Sequence, residues 1–279
     1  MTNQLFSAAV FGGSFVAGFV GSLTGLGGGV VIVPLLTIAF GVNMRYAIGA
    51  SLVSVIATSS GAAAAYVREG FSNVRIGMLL EIATSLGALI GAAVAAFVPT
   101  AGLAILLGVV LLGSVFAPAH KEDTKTPRAQ EADSMGARLG LNSQYPGPHG
   151  VTSYSVRRIP LGFGMMGAAG MLSGLLGIGS GAVKVLAMDL AMGLPFKVST
   201  TTSNFMIGVT AAASAGIYLH RGYIDPGLAM PVTLGVVAGS LLGARLLATA
   251  ASGRLRILFR TVIFALGVEM IYNGWTGRL

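Results

Sequence analysis

Two clusters of glycine interrupt apolar segments of this chain and could present bare backbone to a ligand. The first cluster runs from Gly25 to Gly29, and its counterpart runs from Gly177 to Gly181, 152 residues later. Glycine in a helix costs conformational entropy and supplies no packing, so four glycines in the five residues of the first cluster predict an unwound backbone. Unwound backbone is tolerated at membrane depth where protein buries it or where it lines a cavity.

A short apolar segment follows each cluster, at 30–40 and at 182–192. The first N–H groups of such a helix have no intrahelical partner, and the helix dipole places positive charge there. Two of these ends meeting near the membrane midplane predict an anion site built from backbone. Packing through small residues is the alternative interpretation of the clusters. We expect the site to include Gly25, Gly27, Gly28, Gly29, Gly177, Gly179, Ser180 and Gly181.

Hydroxyl and amide side chains follow each short segment and could donate to the same anion. Ser51 lies in the first copy, while Thr202, Ser203 and Asn204 lie in the second. Hydroxyls in helices also bond to the preceding turn, and we expect part of this set to do only that. The best candidates for neutral donors to an anion are nevertheless these four residues.

Three of the ionisable residues in the apolar segments are candidates for binding an anion or a proton. Lys184, three residues into the second short segment, could neutralise an anion or pair with Asp189; we favour the first role. Glu81 and Asp189 are candidates for proton coupling, because a buried ionisable group in a membrane segment is a functional hypothesis by default. We expect Asp189 to carry the proton, since it shares a segment with Lys184.

The chain repeats itself at an offset of 152 residues, without a gap, from Phe11/Phe163 to Ala96/Ala248. By direct count, 23 of these 86 aligned positions are identical. The repeat includes the small-residue pairs Gly87/Gly91 and Gly239/Gly243, whose spacing of four is typical of close helix packing in membranes. A fixed internal offset of this kind indicates a duplicated unit.

Composition places the duplicated unit in a membrane. Hydrophobic residues make up 54% of the chain and charged residues 9%, whereas soluble domains average about 25% charged. A helix needs roughly 20 apolar residues to cross the bilayer. Runs near that length occur at 5–23, 47–66, 76–98, 101–117, 160–176, 200–219, 227–250 and 257–274. The chain is therefore predicted to be an all-α polytopic membrane protein in a lipid bilayer.

Loop charges predict how the two copies are oriented. The connection at Pro99–Ala101 carries no charge, whereas the matching connection lies among Arg245, Arg254 and Arg256. Because positive loops stay in the cytoplasm, we predict inverted-topology repeats of about five hydrophobic segments each, with glycine-broken helices at the midplane. Both termini would face outward. The predicted divisions are a first transmembrane repeat at 1–117, a polar cytoplasmic linker at 118–159 and a second repeat at 160–279.

Several classes of function are disfavoured. The chain has no cysteine, no histidine cluster and no carboxylate pair at catalytic spacing, so we expect no enzyme, no metal and no cofactor. The net charge of +8 does not come from an aromatic-interleaved basic stripe, so we expect no nucleic-acid partner. A dinucleotide motif would need glycine at the sixth position, where Val30 stands.

The motifs resemble those of the TauE/SafE sulfite exporter family over nearly the whole chain outside the linker. Gly25, Gly27, Gly28, Gly29 and Pro34 match its first motif, and Gly177, Gly179 and Gly181 match its second. Leu186 stands where Pro34 would repeat, and Ser180 replaces a glycine, so the two breaks need not be equivalent. The resemblance implies a cytoplasmic-membrane carrier of sulfur-containing anions, with proton coupling as a hypothesis.

The function predicted from the sequence is secondary transport of a small sulfur-containing anion, such as sulfite, a sulfonate or a related oxyanion. An anion channel on the same scaffold is one alternative, and a membrane assembly factor without transport activity is another. The expected partners are a small anionic substrate and lipid. The anion, the direction of transport and the oligomeric state stay open, a homodimer being one option.

Overall fold

The computed structural model describes residues 3–22, 29–68, 72–116, 136, 138–147, 150–247 and 252–277. The described chain is almost entirely helical. Four helical stretches are long and apolar enough to cross a membrane by length and composition: Gln4–Gly21, Val74–Val94, Ile159–Leu176 and Pro226–Gly243. The chain is an all-α, multi-pass membrane protein.

Each half contributes five described helices. Those of the first half are α1 (Asn3–Ser22), α2 (Gly29–Pro34), α3 (Met44–Arg68), α4 (Val74–Val94) and α5 (Thr100–Phe116). Those of the second half are α6 (Ile159–Leu176), α7 (Gly181–Leu186), α8 (Phe196–His220), α9 (Pro226–Leu247) and α10 (Ser252–Thr276). The helix boundaries repeat at the sequence offset, since Gly181 follows Gly29, and Phe196 follows Met44, by 152 residues.

A π-helical turn continues each short helix, at Leu35–Ala39 after α2 and at Ala187–Ala191 after α7. Proline does not cause this turn, because the second copy has Leu186 in the position of Pro34 and forms the same turn. Thr37 stabilises the first π-helical turn, because its hydroxyl donates a hydrogen bond to the carbonyl of Val33 at 2.9 Å.

Helix packing follows the duplication. The backbone of α4 lies against α6, so a Cβ added at Gly87 would collide with the carbonyl oxygen of Gly167. The equivalent pair, α9 and α1, brings Gly239 against the carbonyl oxygen of Phe15 in the same way. These glycines therefore allow backbones to approach closely, as their spacing predicts. In addition, α3 packs on α8 and α5 packs on α10, which joins the two halves.

Two helical hairpins carry the short helices. In the first hairpin the ring of Phe6 on α1 meets the ring of Phe40 after α2 edge to face, with centroids 6.0 Å apart. In the second hairpin the N–H of Arg157, just before α6, donates to the carbonyl of Met192, just after α7, at 3.0 Å. Each short helix therefore returns to the end at which its long partner begins.

The bases of the hairpins lie at opposite ends of α4. Arg45, at the start of α3 after the first hairpin, donates to the carbonyls of Ala96 and Val98, just past the end of α4, at 3.2 and 3.3 Å. Asn73, which caps the start of α4, donates its backbone N–H to Thr202 at 3.0 Å, at the start of α8 after the second hairpin.

The described end of the linker is folded, which its polar composition does not indicate. Strands β1 (Ser143–Gly147) and β2 (Gly150–Tyr154) form an antiparallel pair. Leu141, Tyr154 and Val156 are buried in a cluster that includes residues of α4, α6 and α8. The amide of Asn73 joins this cluster by donating to Leu141 O at 3.1 Å and to Tyr154 Oη at 2.8 Å. Burial raises the pKa of the Tyr154 phenol.

Candidate functional site

The second break is a four-residue interruption between α6 and α7. Gly177 ends α6 with φ of +66°, and its N–H donates to Ser173 O at 2.8 Å. Gly179 has φ of +73° and Ser180 has φ of +45°. Side chains with a Cβ rarely adopt this left-handed region, so glycine is needed at Gly177 and Gly179, while Ser180 is an unusual occupant.

Ser51 joins the two breaks. Its hydroxyl lies 2.8 Å from the carbonyl oxygen of Gly177, in the second break, and 3.4 Å from that of Gly29, at the start of α2. The equivalent residue on α8, Ser203, donates to the carbonyl of Gly181 at 3.2 Å. The segments that sequence analysis singled out in the two halves are therefore in contact with each other.

Two equivalent side chains, Val55 on α3 and Ile207 on α8, close the space around the breaks. A Cβ added at Gly29 would lie 2.6 Å from Val55 Cγ2, and one added at Gly181 would lie 2.7 Å from Ile207 Cδ1. Gly179 lies between them, with its added Cβ 2.9 Å from Ile207 Cγ2 and 3.5 Å from Val55 Cγ1.

A small cavity adjoins the breaks. It offers about 20 Å³ to the centre of a water molecule, which is room for little more than one water. The hydroxyl oxygen of Ser180 is buried here without a hydrogen-bond partner. The structure is therefore closed around this point. The cavity is lined by Val30, Val110, Leu111, Ser114, Ile178, Ser180, Gly181 and Val183.

The remaining candidates from the sequence are distributed differently. Thr202 accepts the backbone N–H of Asn73 and faces the linker cluster rather than the break. Asn204 is half-buried on α8, and Asp189 is half-buried in the π-helical turn after α7. Gly25, Gly27 and Gly28 lie outside the described residues.

Lys184 is fully buried and is connected to Glu81 through a threonine. Its Nζ donates to Thr210 Oγ1 at 2.5 Å, and Thr210 Oγ1 donates to Glu81 Oε1 at 2.8 Å. The alternative partner considered from sequence, Asp189, does not take this place. Ser85 also donates to Glu81 Oε1, at 2.9 Å.

Sequence analysis missed the two hydroxyls that donate to Glu81, those of Thr210 and Ser85, although helical spacing relates each of them to a candidate residue. Thr210 lies seven residues after Ser203 and therefore on the same face of α8. Ser85 lies four residues after Glu81, one turn along α4. Among the described residues, no group of three or more His, Cys, Asp or Glu could hold a metal ion.

Comparison with known proteins identifies the family. Residues 10–270 match the family model described as sulfite exporter TauE/SafE. The chain belongs to this family. It is 27% identical over 266 residues to the probable membrane transporter protein YunE of Bacillus subtilis (strain 168), covering 93% of this chain and 95% of the relative. No solved structure matches the chain.

Two further relatives give the same class. The TauE/SafE chain is 28% identical over 239 residues to the probable membrane transporter protein YdhB of Bacillus subtilis (strain 168), covering 83% and 86% of the two chains. It is 26% identical over 280 residues to a probable membrane transporter protein of Xylella fastidiosa (strain 9a5c), covering 99% and 98%. The family and these names indicate a membrane transporter rather than an enzyme.

Proposed function

We propose that this TauE/SafE protein is a secondary transporter that moves a small sulfur-containing anion, such as sulfite, a sulfonate or a related oxyanion. The anion binds where the two breaks meet, and the two halves open to either side in turn. The class of substrate comes from the family to which the chain belongs. The neutral hydroxyls and bare backbone at the breaks suit an oxyanion, which accepts several hydrogen bonds at once.

The bridge at Ser51 is the observation that carries the proposal. One hydroxyl contacts carbonyl oxygens from both halves, at Gly29 and at Gly177. In the closed state the hydroxyls of Ser51 and Ser203 are occupied by these backbone oxygens. When the hairpins separate, the hydroxyl of Ser51 loses the Gly177 carbonyl of the other half and can donate to an anion instead. Binding and opening are therefore coupled, as a carrier requires.

The contacts at the two ends of α4 support inverted repeats. The first hairpin has its base at the end marked by Arg45 and Ala96, and the second has its base at the end marked by Asn73. Two hairpins that enter from opposite sides and meet at their tips give a site that is closed from both sides. Rocking one half against the other would open it to one side at a time.

Proton coupling is the finer part of the proposal. Glu81 and Asp189 are its candidates, since each can take up a proton within the bundle. Glu81 is 8% exposed and bonded through Thr210 to Lys184, whereas Asp189 is half-buried at the far end of the short helix. This geometry favours Glu81 over Asp189, which the sequence alone favoured.

The test is anion exchange in proteoliposomes containing the full chain. Sulfite, methanesulfonate, taurine, sulfate and acetate are offered as labelled substrates against unlabelled counter-substrate inside. We expect saturable exchange of one or more sulfur anions and no exchange of acetate. Conductance that does not saturate and needs no counter-substrate would favour the channel, and no flux of any anion would overturn the proposal.

Matched variants locate the site. Ser51→Ala should weaken anion binding, whereas Ser54→Ala is the control, because the Ser54 hydroxyl bonds within its own helix to Ser51 O at 2.8 Å. Gly29→Leu and Gly181→Leu should abolish transport by filling the meeting point of the breaks. A variant of either glycine that stays folded and monodisperse and binds anion with unchanged affinity would contradict the assigned site.

A further inference from the structure

The Lys184, Thr210 and Glu81 side chains form one hydrogen-bonded chain across three helices. Thr210 has a single hydroxyl proton, yet its oxygen lies 2.8 Å from Glu81 Oε1 and 2.9 Å from Met206 O. A carboxylate is the stronger acceptor, so the proton points to Glu81 while Glu81 is ionised. If Glu81 takes up a proton, the Thr210 hydroxyl can turn to Met206 O. Thr210 thereby transmits the charge state of Glu81 towards Lys184.

The fold contains an equivalent three-helix contact, made by α9, α2 and α3 in place of α4, α7 and α8, and it lacks both charges. At the offset of 152, Lys184 corresponds to Ile32, Glu81 to Thr233 and Thr210 to Thr58. Thr58 bonds within its own helix to Ser54 O at 3.0 Å, and Thr233 Oγ1 is buried without a partner. The same helix packing therefore forms without an ion pair. Because buried charges are costly, their presence at only one of the two equivalent contacts calls for a functional reason.

The position of Lys184 connects this chain to the breaks. Its backbone N–H donates to Ser180 O at 3.1 Å, so it stands one helical turn from the tip of the second hairpin. Its flexible four-carbon side chain now reaches Thr210 and can turn towards an anion at the tip. Lys184 can therefore pair either with Glu81, through Thr210, or with the substrate.

The net charge of the site with and without the anion shows whether a proton must bind with it. Lys184 and Glu81 together are neutral, and a bound monovalent anion would leave one negative charge uncompensated in a desolvated site. Uptake of one proton by Glu81 restores neutrality and releases Lys184 to the anion. No other titratable group faces Glu81 among the described residues. Helix α6 contains no titratable side chain, and the titratable side chains of α8 lie near its ends. Arg75 of α4 bonds to Gly140 O, and Asp189 follows Lys184 by more than one turn.

One carboxylate oxygen of Glu81, Oε2, is free to bind a proton. Oε2 is buried without a hydrogen-bond partner, and Glu81 lines a groove of about 460 Å³ between α4 and α8. Met78, Ile82 and Val209 form the exposed walls of this groove. Glu81 lies seven residues from the start of α4, about 10 Å along the helix. Oε2 is therefore the carboxylate oxygen of Glu81 that is free to take up the proton, because Oε1 already accepts from Thr210 and Ser85.

We propose that Glu81, Thr210 and Lys184 form a charge-exchange relay in which Lys184 pairs with the anion and Glu81 takes up one proton for each monovalent anion bound. The proton comes from water on the side to which the site is open and returns to water when the anion leaves. The relay rests on the proposed transport function, gives its coupling stoichiometry, and makes transport of a monovalent anion electroneutral.

The test uses proteoliposomes with [14C]methanesulfonate, whose charge does not titrate, and [35S]sulfite alongside. In the wild type we expect a pH gradient to drive accumulation and a potassium–valinomycin potential to have no effect on methanesulfonate uptake. Glu81→Gln should still exchange anions, but the stimulation of its uptake by the pH gradient should be at least ten-fold smaller than in the wild type. Its uptake should respond to the membrane potential. Lys184→Ile should weaken anion affinity by at least ten-fold.

Matched variants separate the relay from folding. Thr210→Val should uncouple uptake from the gradient, whereas Thr58→Val, at the equivalent position, should not. If a single charge variant fails to fold, Glu81→Thr with Lys184→Ile reproduces the neutral residues of the equivalent contact, Thr233 and Ile32. This double variant should fold, exchange weakly and ignore the pH gradient. Glu81→Gln with wild-type gradient stimulation, or the double variant with intact coupling, would overturn the relay. Absence of exchange in the wild type would instead overturn the transport function.

Discussion

Replacing Gly179 with alanine tests whether the tip of the second hairpin must stay free of side chains. Gly179 and Gly222 have the same backbone angle, φ of +73°, but differ in their surroundings. A Cβ at Gly179 would lie 2.9 Å from Ile207 Cγ2, whereas one at Gly222 would meet nothing within 4 Å. The pair Gly179→Ala and Gly222→Ala therefore separates backbone strain from lack of space.

The expected losses of stability follow from the backbone strain and from the lack of space for the added methyl group. Left-handed backbone costs an L-residue about 1–2 kcal/mol, and this cost applies to both variants. The entropy that alanine removes from the unfolded chain also applies to both. Gly179→Ala alone must displace Ile207, and extra atoms in a packed interior cost about 1–3 kcal/mol. Gly179→Ala should therefore be less stable than Gly222→Ala by about 1–3 kcal/mol.

The free energy of unfolding is measured by titration with denaturing detergent in mixed micelles, and anion exchange is measured in proteoliposomes. We expect Gly222→Ala to exchange anions like the wild type. Gly179→Ala should lose most exchange even at temperatures where it is folded, because Ile207 is displaced at the point where it faces Val55 of the other half. Equal losses of stability in the two variants, or normal exchange in Gly179→Ala, would refute the reasoning.

Three further predictions concern topology, helix packing and the linker. Asn73→Ala should destabilise the protein more than Asp225→Ala. Both residues cap a helix, but the Asn73 amide also donates hydrogen bonds to Leu141 O and Tyr154 Oη. Unfolding titrations of the two variants test this difference. Gly87→Ala should disrupt the contact between α4 and α6 and lower the yield of folded protein in size-exclusion chromatography, whereas Gly216→Ala, which is open, should not. Labelling with an impermeant thiol reagent should place the linker and the α9–α10 connection in the cytoplasm. It should place the α4–α5 connection and the C-terminus outside. Labelling of the two connections from the same side would contradict the inverted repeats. The single cysteines are introduced at Ala101, Ala129, Ser252 and Thr276.

The helices and their repetition could be predicted from sequence because they depend on local properties. Runs of apolar residues and an offset of 152 residues can be read directly from the chain, and the helix boundaries of the structure repeat at that offset. The folded end of the linker was not predictable in this way. It depends on a few residues, such as Leu141 and Tyr154, that are buried by distant helices rather than by a pattern of their own.

The partner of Lys184 was beyond sequence analysis for a related reason. Asp189 is close to Lys184 along the chain, and nearness in sequence was the only guide to pairing. Glu81 is 103 positions away and becomes its electrostatic neighbour only because α4 and α7 both pack on α8. Thr210, which joins them, is identical to Thr58 in the other half and so carried no sign of a special role.

The difference between the two equivalent contacts gives the duplicated fold a means of coupling. If both contacts were neutral, the fold could still open to either side, but no ionisable residue of the relay would link the anion to a second solute. Lys184 on α7 and Glu81 on α4 meet at α8, whereas Ile32 on α2 and Thr233 on α9 keep the equivalent place at α3 neutral. The duplicated fold would supply the two openings, and the two charges would decide which ion accompanies the anion through them. Adding Ile32→Lys and Thr233→Glu to the double variant with Lys184→Ile and Glu81→Thr should therefore move the coupling to the equivalent contact at α3, measurable as restored stimulation by a pH gradient. A quadruple variant that folds and exchanges anions but remains uncoupled would mean that position in the fold, and not charge alone, sets the coupling.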